Sequence, residues 1–174
     1  MDLTPSELTV LGLIVERPRH GYDLEQVIER RGIRQWTDIG FSSIYYLLSK
    51  LEKQGLIHVP EAPAGAKSRR VFQATTTGRE ATTRNALALI AKLRVVPHPL
   101  LVGLANLAQL SEPEFAEALR CRLAQVEARI AAVEEAEQTQ APFALPAREV
   151  FSYSLSLLEA ERSWLATRVQ VPDE

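Results

Sequence analysis

The chain has 174 residues, of which 46% are hydrophobic and 24% charged. This size and composition indicate a folded protein with one ordinary domain, or a small domain with an appendage, and they exclude a large multidomain enzyme and a disordered chain. The net charge of −2 is unevenly distributed between the two halves of the chain. Residues 1–84 carry 12 Lys and Arg against 10 Asp and Glu, whereas residues 85–174 carry 8 against 12. The N-terminal half is therefore better suited to an anionic partner.

Three helices are predicted at the start of the chain. Thr4 and Glu7 form a capping signal for the first helix, and Gly32 is placed to end the second. The third runs from about residue 42 to residue 54, and Gly55 is a natural stop. Its apolar positions recur at helical spacing and define one inward face, formed by Ile44, Leu47, Leu48 and Leu51.

Two short strands follow the third helix. Residues 56–59 and 71–75 have the β-branched and aromatic character of strands, and together they predict a hairpin. The connection over residues 60–70 is too long for a tight turn, so we expect it to project from the body of the protein. The far end of this loop is basic and carries Lys67, Arg69 and Arg70.

A fourth helix is predicted from about residue 77 until Pro97 interrupts it. We place a domain boundary within this region. The N-terminal domain then covers residues 1–84, and a second, helical domain covers residues 85–174.

Two long helices are predicted in the second domain, at about residues 111–139 and 147–169. The first has a narrow apolar seam with spacings that alternate between four and three, typical of a helix lying along a partner helix. The second has a broader apolar stripe. Because this is more apolar surface than one helix pair can bury, we expect a homodimer. The predicted dimerisation residues are Leu119, Leu123, Val126, Ile130, Leu158, Trp164 and Leu165.

Three short helices followed by a hairpin with a basic tip are the order of a winged helix-turn-helix, in which the third helix enters the DNA major groove. The predicted fold class is therefore mainly α with a small β-hairpin, an N-terminal winged helix-turn-helix followed by a helical dimerisation domain.

Taken alone, the outward face of the third helix fits a solvated surface as well as a DNA contact. The basic loop after it favours double-stranded DNA. The predicted contacts are Ser42, Ser43, Tyr45, Tyr46, Ser49, Lys50, Lys53, Lys67, Arg69 and Arg70.

The sequence resembles the PadR family of bacterial transcriptional regulators in four blocks that lie in order over residues 4–84. These are Leu11–Ile14 with Arg19–Leu24, then Ser42–Tyr45, Leu51–Ile57, and Arg69–Thr75 with Gly78. The resemblance implies a winged helix that binds operator DNA as a homodimer, mostly as a repressor released by a ligand or stress signal. It places DNA contacts at Ser42, Ser43, Tyr45 and Lys50, and the wing at Arg69 and Arg70. Longer members have a similar C-terminal helical domain.

An enzyme is the main alternative of another class, and the sequence gives no support for it. The three histidines have no metal-ligand spacing, and neither a phosphate-binding loop nor a nucleophile elbow occurs. Cys121 lies beside the apolar seam, where a small core residue is more common than a redox sensor. We expect no cofactor and no metal. The remaining alternative is a protein-interaction module with a winged-helix fold and little DNA affinity.

A small-molecule effector and the cellular location are the last two expectations. Aromatic residues of the second domain can line an effector site, although aromatic residues at helical spacing more commonly form core; these are Phe143, Phe151, Tyr153 and Trp164. No apolar run of 18 residues and no basic, apolar leader occurs. We therefore expect a cytoplasmic protein without a membrane association.

Overall fold

A computed structural model describes residues 2–40, 43–60, 70–140 and 144–169. The described part is mainly helical with one small antiparallel sheet, as the sequence predicts. The chain divides into two compact units, residues 1–95 and residues 96–174. Each unit has its own hydrophobic core and is described separately.

The first unit contains the three predicted helices, α1 (Pro5–Glu16), α2 (Gly21–Arg30) and α3 (Ser43–Lys53). The capping box at the start of α1 is present, with Thr4 and Glu7 each bonding the other's backbone amide. Gly32 and Gly55 have φ angles of +61° and +70°, a conformation that favours glycine, and they follow the ends of α2 and α3.

Three strands form the sheet, in the order β1 (Arg19–His20), β3 (Val71–Ala74), β2 (Ile57–His58). The hairpin of β2 and β3 confirms the sequence prediction, and Ile57 pairs with Ala74. The sequence did not predict β1, because a strand of two residues has no periodicity to detect; it pairs with β3 through Arg19 and Phe72.

Apolar side chains of α1, α2, α3 and the hairpin form the core of the first unit, and the predicted inward face of α3 is buried in it. Two arginine side chains, one buried and one partly buried, fix the connections. The Arg19 guanidinium donates to the Leu13 carbonyl at 2.8 Å and so bonds the last turns of α1. The Arg34 guanidinium pairs with Glu25 and Glu29 of α2 and donates to the Ile39 carbonyl, which holds the α2–α3 connection against α2.

Helix α4 (Thr76–Ala91) completes the first unit and contains the position of the predicted domain boundary at residue 84. Thr75 caps it by accepting the Gly78 amide at 3.0 Å. The buried Asn85 side chain accepts the Leu3 amide at 2.9 Å, so the N-terminal segment is bonded to α4. The helix ends at Ala91, earlier than predicted.

The second unit consists of α5 (Pro99–Ala105), which was not predicted, α6 (Glu112–Gln140) and α7 (Leu145–Val169). Ser111 and Glu114 form the capping bonds of α6, at 2.6 Å between the two side chains. Helices α6 and α7 pack on each other, and Arg122 of α6 pairs with Glu161 of α7.

The core of this helix pair identifies the partner helix of the α6 seam. That partner is α7 of the same chain, which is long enough to cover α6. Leu119, Val126, Ile130 and Leu165 are buried in this core, and the other predicted dimerisation residues pack against it: Leu123, Leu158 and Trp164.

Candidate nucleic-acid interface

The outward side of α3 carries four side chains that are exposed and make no hydrogen bond or ion pair with other described residues: Tyr45, Tyr46, Ser49 and Lys53. Tyr45 is 65% exposed and Tyr46 66% exposed, which is unusual for tyrosine in a folded domain. These side chains present hydroxyl groups and one ammonium to solvent. A surface of this chemistry is suited to phosphate oxygens and base edges.

Other predicted contacts of α3 have partners within the protein. Ser43 donates from its hydroxyl to the Gly40 carbonyl at 2.6 Å, which fixes the first turn of the helix. Lys50 turns toward α1, where its Nζ lies 2.5 Å from Glu7 Oε1. Ser42 lies outside the described residues.

Glu7 is the functional neighbour that sequence reasoning missed. Its role as a capping residue was predicted, but 43 positions separate it from Lys50 and no sequence signal links the two. The Glu7 side chain is only 3% exposed. Burial raises the cost of its charge, yet hydrogen bonds from Lys50 and Thr4 outweigh burial and hold the pKa of Glu7 below its ordinary value of 4.5.

This lowered pKa predicts a pH-dependent contribution to stability. A depressed carboxylate pKa stabilises the fold above the ordinary value and loses that effect as the pH falls through the folded-state value. Glu7→Gln should therefore cost about 1–2 kcal/mol at pH 7, because it removes a hydrogen-bonded charge. The difference from the parent protein should shrink below pH 4.5. Urea unfolding at pH 7 and pH 3.5 measures it.

Glu80→Gln is the matched control for this prediction, since Glu80 is exposed on α4 and belongs to no ion pair among the described residues. We expect it to change the unfolding free energy by less than about 0.5 kcal/mol at either pH. A Glu7→Gln effect of the same size at both pH values would contradict the prediction.

Arg70 is the part of the predicted wing that the structure describes. Its Nη2 lies 2.6 Å and 2.7 Å from the two carboxylate oxygens of Glu52 in α3, and its guanidinium stacks 5.1 Å from the Phe72 ring centroid. The base of the wing is thus bonded to the last turns of α3. Lys67 and Arg69 lie outside the described residues.

A surface depression of about 500 Å³ lies between the start of α2, α3 and the base of the wing. Tyr45 forms one wall of it and lies so close to α2 that a Cβ on Gly21 would be 2.8 Å from its ring, so glycine permits this approach. Tyr22 is 59% exposed beside it. Trp36 is half exposed.

The residues considered for an effector site lie mainly on α7. Phe151 is half-buried, Tyr153 is exposed, and the Trp164 ring stacks 3.8 Å from the Arg168 guanidinium. Phe143 lies outside the described residues. Cys121 is exposed and accepts a 3.2 Å hydrogen bond from the Gln125 amide.

A metal-ligand cluster or a membrane-spanning helix would indicate another class of function. Over residues 2–40, 43–60, 70–140 and 144–169, no group of His, Cys, Asp and Glu is arranged to hold a metal ion. None of the helices in those ranges combines the length and apolar character needed to cross a bilayer.

Three helices, a three-stranded sheet with a hairpin, and an exposed polar face on the third helix define a winged helix-turn-helix protein. Residues 10–84 match the model of the transcriptional regulator PadR-like family. The chain therefore contains a PadR-like family domain. The family consists of transcriptional regulators, not enzymes. No curated protein matches the sequence.

Solved structures of PadR proteins share this fold over nearly the whole chain. Bacillus subtilis PadR in complex with operator DNA has 20% identity and a TM-score of 0.76, covering 95% of this chain and 98% of its own. The same protein in complex with p-coumaric acid has 19% identity and a TM-score of 0.77, covering 94% and 95%. The PadR-like regulator BC1756 from Bacillus cereus has 18% identity and a TM-score of 0.68, covering 94% and 95%.

Proposed function

We propose that the protein is a DNA-binding transcriptional repressor that acts as a homodimer in the bacterial cytoplasm and is released from DNA by a small-molecule or stress signal. The observation that carries the proposal is the exposed face of α3. Its polar side chains have no partners among the described residues, while the opposite, apolar face of the same helix is buried in the core. The domain of residues 1–84 then reads DNA, and residues 85–174 hold the dimer together. The Bacillus subtilis relative bound to operator DNA supports this reading.

The contacts divide by chemistry. Tyr45, Tyr46 and Ser49 are placed to reach base edges or phosphates through their hydroxyls, and Lys53 supplies charge to the DNA backbone. Lys67 and Arg69 remain proposed contacts of the wing. Two copies of α3 would enter successive major grooves of a pseudo-palindromic site, with half-sites about 34 Å apart.

Fluorescence anisotropy at several salt concentrations tests DNA binding. Duplexes from the region upstream of the protein's own gene are compared with scrambled duplexes, and we expect selective, salt-dependent binding by the parent protein. Lys53→Met should lower the slope of log affinity against log salt by about 0.9 in each protomer, because one phosphate contact is lost. Lys92→Met, which removes an exposed lysine at the end of α4, is the matched control and should leave the slope unchanged.

The homodimer is proposed through an apolar stripe on α7. Val150, Tyr153 and Leu157 recur at spacings of three and four and are exposed, with Tyr153 68% and Leu157 56% accessible. These three side chains belong to the surface of α7 and are not part of the α6–α7 core. Exposed apolar and aromatic residues at helical spacing are typical of an interface between protomers.

We propose that a small molecule releases the repressor from DNA. The relative that binds p-coumaric acid supports an aromatic acid as the first probe. Phe143, Phe151, Tyr153 and Trp164 remain the proposed contacts, at the centre of the dimer. A ligand can shift the DNA affinity only by the ratio of its own affinities for the free and the DNA-bound protein. The test is the same anisotropy assay, in which p-coumaric acid is added to the preformed DNA complex.

A protein-interaction module with little DNA affinity is the second candidate. The exposed apolar stripe on α7 is the observation that favours it, because such a surface fits a protein partner as well as a second copy. Equal, weak binding of specific and scrambled duplexes by a folded dimer would favour the module over the regulator.

A further inference from the structure

The polar side chains of α3 fall into two groups that the sequence does not distinguish. Three are bonded to the rest of the domain: Ser43 to Gly40, Lys50 to Glu7, and Glu52 to Arg70. The four exposed side chains described above have no such bonds among the described residues. Both groups contain a lysine, so charge pattern alone assigns Lys50 and Lys53 to the same role.

The ion pair with Glu7 changes the role of Lys50. A carboxylate that is 3% exposed needs a partner for its charge, and apart from Lys50 no described group bonds to Glu7 Oε1. The second oxygen, Oε2, accepts the Thr4 amide at 2.8 Å, so the carboxylate is itself fixed to the start of α1. The Lys50 ammonium is therefore held at a defined point on α1.

The position of Lys50 along α3 connects this pair to the exposed face. Lys50 directly follows Ser49 and lies one helical turn after Tyr46. The buried apolar face of α3 sets the rotation of the helix about its axis, and the bond from Lys50 to α1 further restrains it. That rotation decides where Tyr46 and Ser49 point.

We infer that Lys50 is a positioning residue, which orients the recognition helix through buried Glu7 and does not neutralise a DNA phosphate. The inference rests on the proposed DNA-binding function. The inference gives the two lysines of α3 different roles. Lys53 contacts the DNA backbone, whereas Lys50 helps to set the geometry with which α3 meets the bases.

Lys50→Met and Lys53→Met test the inference as a matched pair, because each removes one charge and keeps a long apolar side chain. With Lys50→Met we expect about tenfold weaker binding to the specific duplex, an unchanged salt slope, and a smaller ratio between specific and single-mismatch duplexes. With Lys53→Met we expect a slope lower by about 0.9 for each protomer, about 1.8 for the dimer, and an unchanged ratio. Lys50→Arg, which can still pair with Glu7, should retain parent affinity and ratio. Circular dichroism confirms that each variant is folded.

A salt slope for Lys50→Met that falls as it does for Lys53→Met would overturn the inference and make Lys50 a phosphate contact. Unchanged affinity and ratio would also overturn it. The double variant Glu7→Gln/Lys50→Met removes the unpaired buried carboxylate, so it should unfold at higher urea than Lys50→Met alone if the pair forms; equal midpoints would contradict the pairing.

Failure of the proposed function is recognised separately. If the parent protein binds no duplex, the regulator proposal fails, and hydrogen exchange then decides the role of the pair. Faster exchange in α3 of Lys50→Met, with α2 unchanged, would support positioning; unchanged exchange in α3 would overturn it.

Discussion

Gly78→Ala should destabilise the first unit by about 3 kcal/mol or more, because α4 begins against the backbone of the hairpin. A Cβ at residue 78 would lie 2.1 Å from the Leu56 carbonyl oxygen, a distance at which the backbone itself must move. The Leu56 oxygen cannot easily retreat, since the Thr75 amide donates to it at 3.0 Å and the Thr75 hydroxyl at 3.1 Å. Overpacking at a fixed backbone contact is among the costliest single changes.

Gly12→Ala is the control for this prediction. Gly12 lies inside α1, where an added Cβ would meet no atom within 4 Å. Alanine there should stabilise the helix by about 0.5–1 kcal/mol, since it restricts the unfolded chain and favours helix. Urea unfolding followed by circular dichroism measures both variants, and hydrogen exchange locates the change. Equal stability of Gly78→Ala and the parent protein would show that α4 does not dock on Leu56 in this way.

Replacement of Tyr153 and Leu157 by glutamate should convert the dimer to a monomer. In a two-fold symmetric interface each substitution occurs twice, so buried negative charges from both protomers would face one another. Affinity for a pseudo-palindromic duplex should fall by about 100-fold or more, because a second head bound to the same dimer adds roughly that much by effective concentration. Sedimentation velocity gives the mass, and anisotropy gives the DNA affinity.

Ser152→Glu/Ser163→Glu adds the same charge to exposed positions of α7 that are off the apolar stripe. This control should remain dimeric and keep its DNA affinity. A Tyr153→Glu/Leu157→Glu protein that still sediments as a dimer would place the interface elsewhere in the chain. The exposed apolar residues of α5, Leu101 and Val102, would then be the next to change.

Local signals explain how much of the fold could be predicted from the sequence. The Thr4–Glu7 capping box, the apolar face of α3 and the change of period at the hairpin each depend on neighbouring residues, and each is confirmed in the structure. The short strand β1 and helix α5 were missed because neither is long enough to show a period.

The candidate site could be predicted only as a set of residue types. Helical spacing identified the polar side of α3, and the exposure of Tyr45, Tyr46, Ser49 and Lys53 follows from it. Spacing says nothing about which outward residue meets another element. Charge and position made Lys50 and Lys53 equivalent in the sequence, whereas the structure bonds one to Glu7 and leaves the other exposed.

The sequence by itself determined the order of the longer helices and of the β2–β3 hairpin, the inward face of α3 and the winged-helix class, because capping, periodicity and turn residues act over a few positions. Only the tertiary structure decided that the seam of α6 is covered by α7 of the same chain, that Lys50 pairs with Glu7, and that Gly78 touches the hairpin backbone. These contacts join residues 20 or more positions apart, and their geometry depends on how whole elements pack, which no local pattern encodes.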